Sequence, residues 1–169
     1  MILRAAQTLF ELLLVLGGTT QIHRIPMMVP LAVGVITFAG TIFVHVLPFA
    51  ATVAIVRREL GQRGVTFWSE FAIVASIILV SLLAHLMGIA LWAEVFKICG
   101  EFHEFDLAFY HSAVNYTTLG YGDLIMSPTW RLLGPLEAAN GILMFGVSTA
   151  MIFTVILRLT QARFADLQH

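Results

Sequence analysis

The chain alternates between long runs in which nearly every position is apolar and short connections that collect the charges. From Met27 to Val56 the residues are apolar apart from His45 and a few hydroxyls, a run longer than the roughly 20 positions that cross the hydrocarbon of a bilayer. A second run from about Ser69 to Lys97 and a third from Pro135 to Leu159 repeat the pattern. Runs that are hydrophobic all round predict helices whose whole surface meets lipid or protein. Arg57, Arg58 and Arg63 follow the first run, and Arg158 and Arg163 close the third, which predicts that both of these ends are cytoplasmic. The second span then leaves the cytoplasm, and the second and third are antiparallel. Trp68 and Trp92, about 36 Å apart at the helical rise, match two interfacial belts. Pro30 and Pro48 are tolerable in a membrane helix, Pro48 with a kink. Pro135 suits a first helical turn, with Glu137 favourably placed at the positive end of the helix dipole.

Between the second and third runs, residues 98 to 134 must start and finish on the same, outer side. Asp106 to Tyr116 predicts a helix of about 16 Å, which reaches halfway through a hydrocarbon layer of roughly 30 Å. Thr118 to Gly122, if extended, climbs back at about 3.3 Å per residue and covers a similar distance. Non-helical backbone at that depth is tolerated only where protein or a water-filled path surrounds it. The segment therefore belongs on the inside of an assembly. The expected fold class is an all-α membrane protein of three transmembrane helices plus a re-entrant helix and an extended segment.

Composition agrees: of 169 residues, 59% are hydrophobic and 11% charged, against roughly 25% charged in soluble domains. The location expected is a plasma or bacterial inner membrane, crossed several times, with lipid as a partner. The nine Lys and Arg residues are dispersed and the net charge is −1, so no nucleic-acid partner is expected. Residues 1–26 have a basic start and the run Leu12 to Leu16, but Glu11 interrupts the core and no small-x-small cleavage site follows. They read as an interfacial segment, with a short fourth span as the alternative. The organisation expected is this segment, a first helix with a cytoplasmic linker over 27–68, a main unit over 69–163 and a tail over 164–169.

Cys99 is the single cysteine, so no intrachain disulfide can form; it reads as a free thiol near a helix end, an intersubunit bridge being the other reading. Glu101, His103 and Glu104 have metal-ligating side chains but fall in an exposed loop, and no structural metal is expected. His45 and His85 lie deep in apolar runs, where an ionisable group is either functional or a neutral imidazole bonded to another helix. No paired carboxylate, metal or nucleophile motif converges at depth, so the chain does not read as an enzyme, and no organic cofactor is expected.

The chemistry concentrates in Tyr116-Thr117-Thr118-Leu119-Gly120-Tyr121-Gly122-Asp123. An extended segment aims successive carbonyls to one side only if alternate residues take dihedrals of opposite hand, and Gly120 and Gly122 tolerate the left-handed ones. Four such segments around an axis would present rings of carbonyl oxygens, with the Thr118 hydroxyl as a further ring, in place of a cation's hydration shell.

The run from Thr118 to Asp123 resembles the signature of potassium channels, usually Thr-Val-Gly-Tyr-Gly-Asp, with Leu119 as the one departure. The likeness covers about Ser69 to Arg163, and from Ala108 to Leu159 it needs a one-residue gap against simple bacterial two-helix channels. The chain also resembles small bacterial channel proteins with an extra N-terminal span, through Trp130-Arg131-Leu132-Leu133, Glu137-Ala138 and Phe145 to Ala150. This resemblance implies a homotetramer that conducts K+ passively and selectively, with the ion held at Thr118, Leu119, Gly120, Tyr121 and Gly122. A weakly selective cation channel and a non-conducting interaction subunit are the alternatives. The resemblance implies further that Gly141 is the inner-helix hinge glycine and Gly146 the second one, although close helix packing explains such glycines equally. It places Ile142, Phe145, Thr149 and Phe153 on the cavity face. Val114 stands where many simple potassium channels carry a glutamate that pairs with the filter aspartate, here Asp123. Tyr110, one turn earlier, occupies the position of a family tryptophan that bonds this aspartate, and its hydroxyl is a substitute. His111 occupies the site of an aromatic beside Tyr121; it either packs there as a neutral ring or titrates, so that outside acid reduces conduction. Neither an arginine-repeat voltage sensor nor a C-terminal nucleotide- or calcium-binding domain is expected, and no other protein partner.

Overall fold

The computed structural model describes residues 26–60 and 67–166. Four helices dominate them: α1 Met28–Leu60, α2 Phe67–Ile98, α3 Phe105–Tyr116 and α4 Leu133–Asp166. No strand occurs among the described residues. Helices α1, α2 and α4 are long and apolar enough to cross a membrane over Met28–Ala54, Trp68–Ile98 and Leu133–Phe164. Large apolar side chains stand fully outward on all three, among them Phe43, Leu83 and Phe153 at 72%, 59% and 66% exposure. A soluble domain would bury them, whereas lipid or a neighbouring copy accommodates them. The protein is an all-α membrane protein.

The short helix α3 packs between α2 and α4, and α1 lies against the same two helices from another side. The main core forms where these meet, around Ile89, Trp92, Phe96, Tyr116, Trp130, Leu133 and Met144. A smaller cluster of Ile77, Val155 and Leu159 joins α2 to α4 further along. There Arg163 reaches Glu70 at 3.5 Å, tying the end of α4 to the start of α2, so the two run antiparallel.

Helices α2 and α4 extend the sequence-based spans at both ends, and α1 extends its span at the C-terminal end. Helix α4 continues to Asp166 because no glycine or proline follows Gly146, so the boundary expected at 163 falls inside a helix. Trp92 is not a belt residue: it is fully buried and packs beside Phe96, ring centroids 6.0 Å apart. Distance along a helix sets depth, but the face decides burial, and Trp92 is on the face that α3 covers. Glu137 is also corrected. It lies beyond the first turn of α4 and is fully buried, so it serves a packed contact rather than a solvated helix end. The interfacial segment expected before Pro26, the linker carrying Arg63 and the last three residues lie outside the described residues.

Candidate functional site

Helix α3 stops at Thr117, still right-handed at φ −83°, and the chain then turns back onto the helix end. The Thr118 amide donates to the Asn115 carbonyl at 2.9 Å, and the Leu119 and Gly120 amides both donate to the Val114 carbonyl, at 2.9 and 3.3 Å. Carbonyls that a helix C-terminus normally leaves without partners thus seat the segment that follows.

Along that segment φ is +62° at Thr118, +58° at Gly120 and +72° at Gly122. Every second residue is left-handed. The two glycines do this freely, whereas Thr118 carries a Cβ and bears a cost of about 1–2 kcal/mol. Sequence reasoning singled out the glycines and not Thr118's backbone, because threonine does not announce a positive φ; the period of two was the available signal. The Leu119 and Tyr121 side chains, on the alternate positions, are 59% and 66% exposed.

Beyond the segment, Asp123 accepts a hydrogen bond from the Tyr110 hydroxyl at 2.7 Å and one from the Leu124 amide at 3.1 Å. The bond from Tyr110 is the main cause that holds the Asp123 carboxyl below its ordinary range, and in return it raises the Tyr110 phenol. Val114 is buried and supplies only its carbonyl. His111 is buried between Phe96 and Phe102, with ring centroids at 5.4 and 4.8 Å. Its Nε2 accepts from the Asn115 amide at 2.8 Å, which leaves the hydrogen on Nδ1 in a neutral ring. Burial lowers its pKa, against smaller opposing effects of Asp123, Glu101 and the Leu124 backbone. Glu101 is not simply solvated: it accepts from the Ser127 amide at 2.7 Å and hydroxyl at 2.5 Å, stapling the loop after the segment to the end of α2. Among the described residues no group of three or more His, Cys, Asp or Glu is placed to hold a metal.

On α4, a Cβ at Gly141 would fall 2.9 Å from the Tyr116 carbonyl carbon and closer still to its oxygen. Only glycine lets α4 pass the end of α3 at this distance. Close approach of α3 is thus one reason for a glycine at 141, whereas nothing lies within 4 Å of a Cβ at Gly146. Ile142, Gly146, Thr149 and Phe153 share an exposed side of α4. Phe145 is 40% exposed and stacks on His85, centroids 4.2 Å apart, so it divides its ring between that side and the helices behind. One contact the sequence did not foretell joins three helices: the Ser112 hydroxyl lies 2.8 Å from the Ile89 carbonyl and 2.5 Å from the Glu137 carboxyl.

Residues 77–158 match the family model described as ion channel. The match begins within α2, takes in α3 and the segment after it, and ends within α4. No curated protein and no solved structure matches the chain.

Proposed function

We propose, on the match of residues 77–158 to the ion channel family model, that the chain is the subunit of a homotetrameric, potassium-selective channel. The observation that carries this reading is the alternation of left-handed backbone at Thr118, Gly120 and Gly122 within Thr-Leu-Gly-Tyr-Gly-Asp. That backbone turns successive carbonyls to one side, and the carbonyls of Thr118, Leu119, Gly120 and Tyr121, with the Thr118 hydroxyl, replace the water around a dehydrated K+. One chain supplies one wall of such a path. Left facing lipid, these carbonyls would each cost several kcal/mol, so four copies close around the axis.

Other residues then take supporting parts. Tyr110 and Asp123 steady the outer end of the filter, and His111 packs behind it. Ile142, Thr149 and Phe153, with Phe145 at their edge, face the inner cavity. The Arg158 and Arg163 end of α4 is cytoplasmic, which puts the filter at the outer side of a cell membrane crossed three times. Ions move down their gradient, and no covalent chemistry or organic cofactor is involved.

The test is flux from liposomes holding the purified full chain. K+ efflux that collapses an imposed gradient, with Na+ flux at least about tenfold slower, is expected of carbonyl coordination. Absence of flux, or equal flux of the two ions, would overturn the proposal.

A further inference from the structure

We propose that α1, which lies outside the family match, is a working part of the pore, and that His45 and His85 are positioning residues for the base of the filter. The inference rests on the selectivity reading above and extends it to a helix with no assigned part.

The groups involved come from all four helices and are buried: Thr41 and His45 on α1, His85 on α2, Tyr116 on α3 and Asn140 on α4. Thr41 Oγ1 lies 3.0 Å from the Asn140 side-chain amide. His45 Nδ1 lies 2.9 Å from the Thr41 carbonyl, its Nε2 lies 3.3 Å from His85 Nδ1, and that nitrogen lies 3.3 Å from the Tyr116 hydroxyl. The hydrogens follow from donor and acceptor types. A carbonyl only accepts, so His45 carries its hydrogen on Nδ1, and in the neutral ring Nε2 is an acceptor. His85 Nδ1 then donates, with Tyr116 Oη within reach of the same hydrogen. Gly88 leaves room for this meeting: a Cβ there would stand 3.3 Å from Tyr116 Oη and 3.6 Å from His45 Cε1.

Tyr116 is the last residue of α3, and the next two residues lead into the filter. Its hydroxyl is held by the network, and its carbonyl lies against Gly141 of α4. A residue fixed at both ends sets where Thr118 begins, and α1 contributes one of the two fixings through His45. Apolar side chains would serve packing alone without the desolvation cost that buried imidazoles and hydroxyls carry. A network used only for packing would alter stability when cut. One that positions the filter alters ion discrimination as well.

The experiment measures the K+ to Na+ permeability ratio from reversal potentials of the full chain in bilayers, together with the melting temperature of the assembly. Tyr116→Phe removes a single hydroxyl and keeps the ring that packs the core; His45→Ala cuts the chain at α1; His45→Gln keeps a hydrogen-bonding group there. We expect Tyr116→Phe and His45→Ala each to lower the ratio about fivefold or more, the lower end for coupled sites. The double variant should do no more than either, and His45→Gln should recover part of the loss. If His45→Ala fails to assemble, Tyr116→Phe decides alone. An unmoved ratio in Tyr116→Phe, even with a lowered melting temperature, would overturn the inference and leave the selectivity reading standing. A parent that passes both ions alike removes the selectivity reading and this inference with it.

Discussion

The Tyr110 hydroxyl donates to Asp123 across 2.7 Å, joining the middle of α3 to the residue that follows the segment of alternating backbone. Where simple potassium channels resemble this chain they place a glutamate one turn later, and here that position is Val114. The phenol takes over the role of donor from an exposed site, so its effect is read in protonation rather than in stability. Asp123 is held below its ordinary value chiefly by this bond, and what the charged carboxylate contributes is present above the ordinary carboxylate range and lost as pH falls through the depressed value. In Tyr110→Phe the midpoint moves up toward that range. Current measured against outside pH should fall at a higher pH in the variant than in the parent, and superimposable curves would show that the bond does not govern Asp123.

Gly122→Ala tests the backbone of the proposed filter. No atom of the chain lies within 4 Å of the added methyl, but φ is +72°, so the cost is conformational. It amounts to about 1 kcal/mol or more per subunit, and the proposed tetramer would repeat it four times. The K+ to Na+ permeability ratio should fall, and an unchanged ratio would remove the selectivity assignment from this segment.

Which parts of this arrangement the sequence discloses follows from what each rests on. The spans are readable because an apolar run longer than a bilayer crossing has few other fates, and α3 with its extended return is readable because the lengths of 106–116 and 118–122 must close a loop. The Tyr110 contact is implied by the resemblance, which puts Tyr110 where the family bonds the aspartate, and not by the residues alone. Faces were not. In a helix that is apolar all round no periodicity tells lipid from protein, so Trp92 was placed by depth and Glu137 by its distance from the helix start, and both are buried. The meeting of His45, His85 and Tyr116 depends on how three helices cross, which no local pattern encodes. Thr118's positive φ follows from the alternation around it rather than from its own preference.

Gly141 and Gly146 look alike in sequence and should respond differently. In Gly141→Ala the new methyl meets the Tyr116 carbonyl group, which is backbone and has no rotamer to move away. Overpacking of this kind costs about 1–3 kcal/mol, and α3 is displaced with the segment that follows it. Gly146→Ala meets nothing within 4 Å in its own chain and gains about 1 kcal/mol in helix propensity. Thermal melting in detergent should therefore show a lower midpoint for the first and an equal or higher one for the second. The reverse order would mean that Gly141 bends rather than packs.

His111 is the group through which acid would act on the proposed filter. Its ring is buried between Phe96 and Phe102, and Nε2 is occupied by the Asn115 amide. A proton on Nε2 would have to break that bond and charge a ring that burial already keeps below its ordinary pKa of 6.5. With the folded pKa depressed, the unfolded chain binds the extra proton first, so stability rises with pH up to the ordinary value and is independent of this group above it. As pH falls below about 6.5 the contribution of neutral His111 is progressively lost, down to the depressed folded value. In the folded channel the ring charges only as pH falls through its depressed value, so outside acid should leave the parent's conduction unchanged down to about pH 6.5 and reduce it at lower pH, where the ring takes up its proton. His111→Phe keeps an aromatic ring between the same neighbours and removes the titration, so its current should hold where the parent's declines. The comparison is made by stepping outside pH from about 7.5 to 5.5 on both channels. Equal loss in the two, or loss in neither, would make His111 a packing residue and place any acid response on another group.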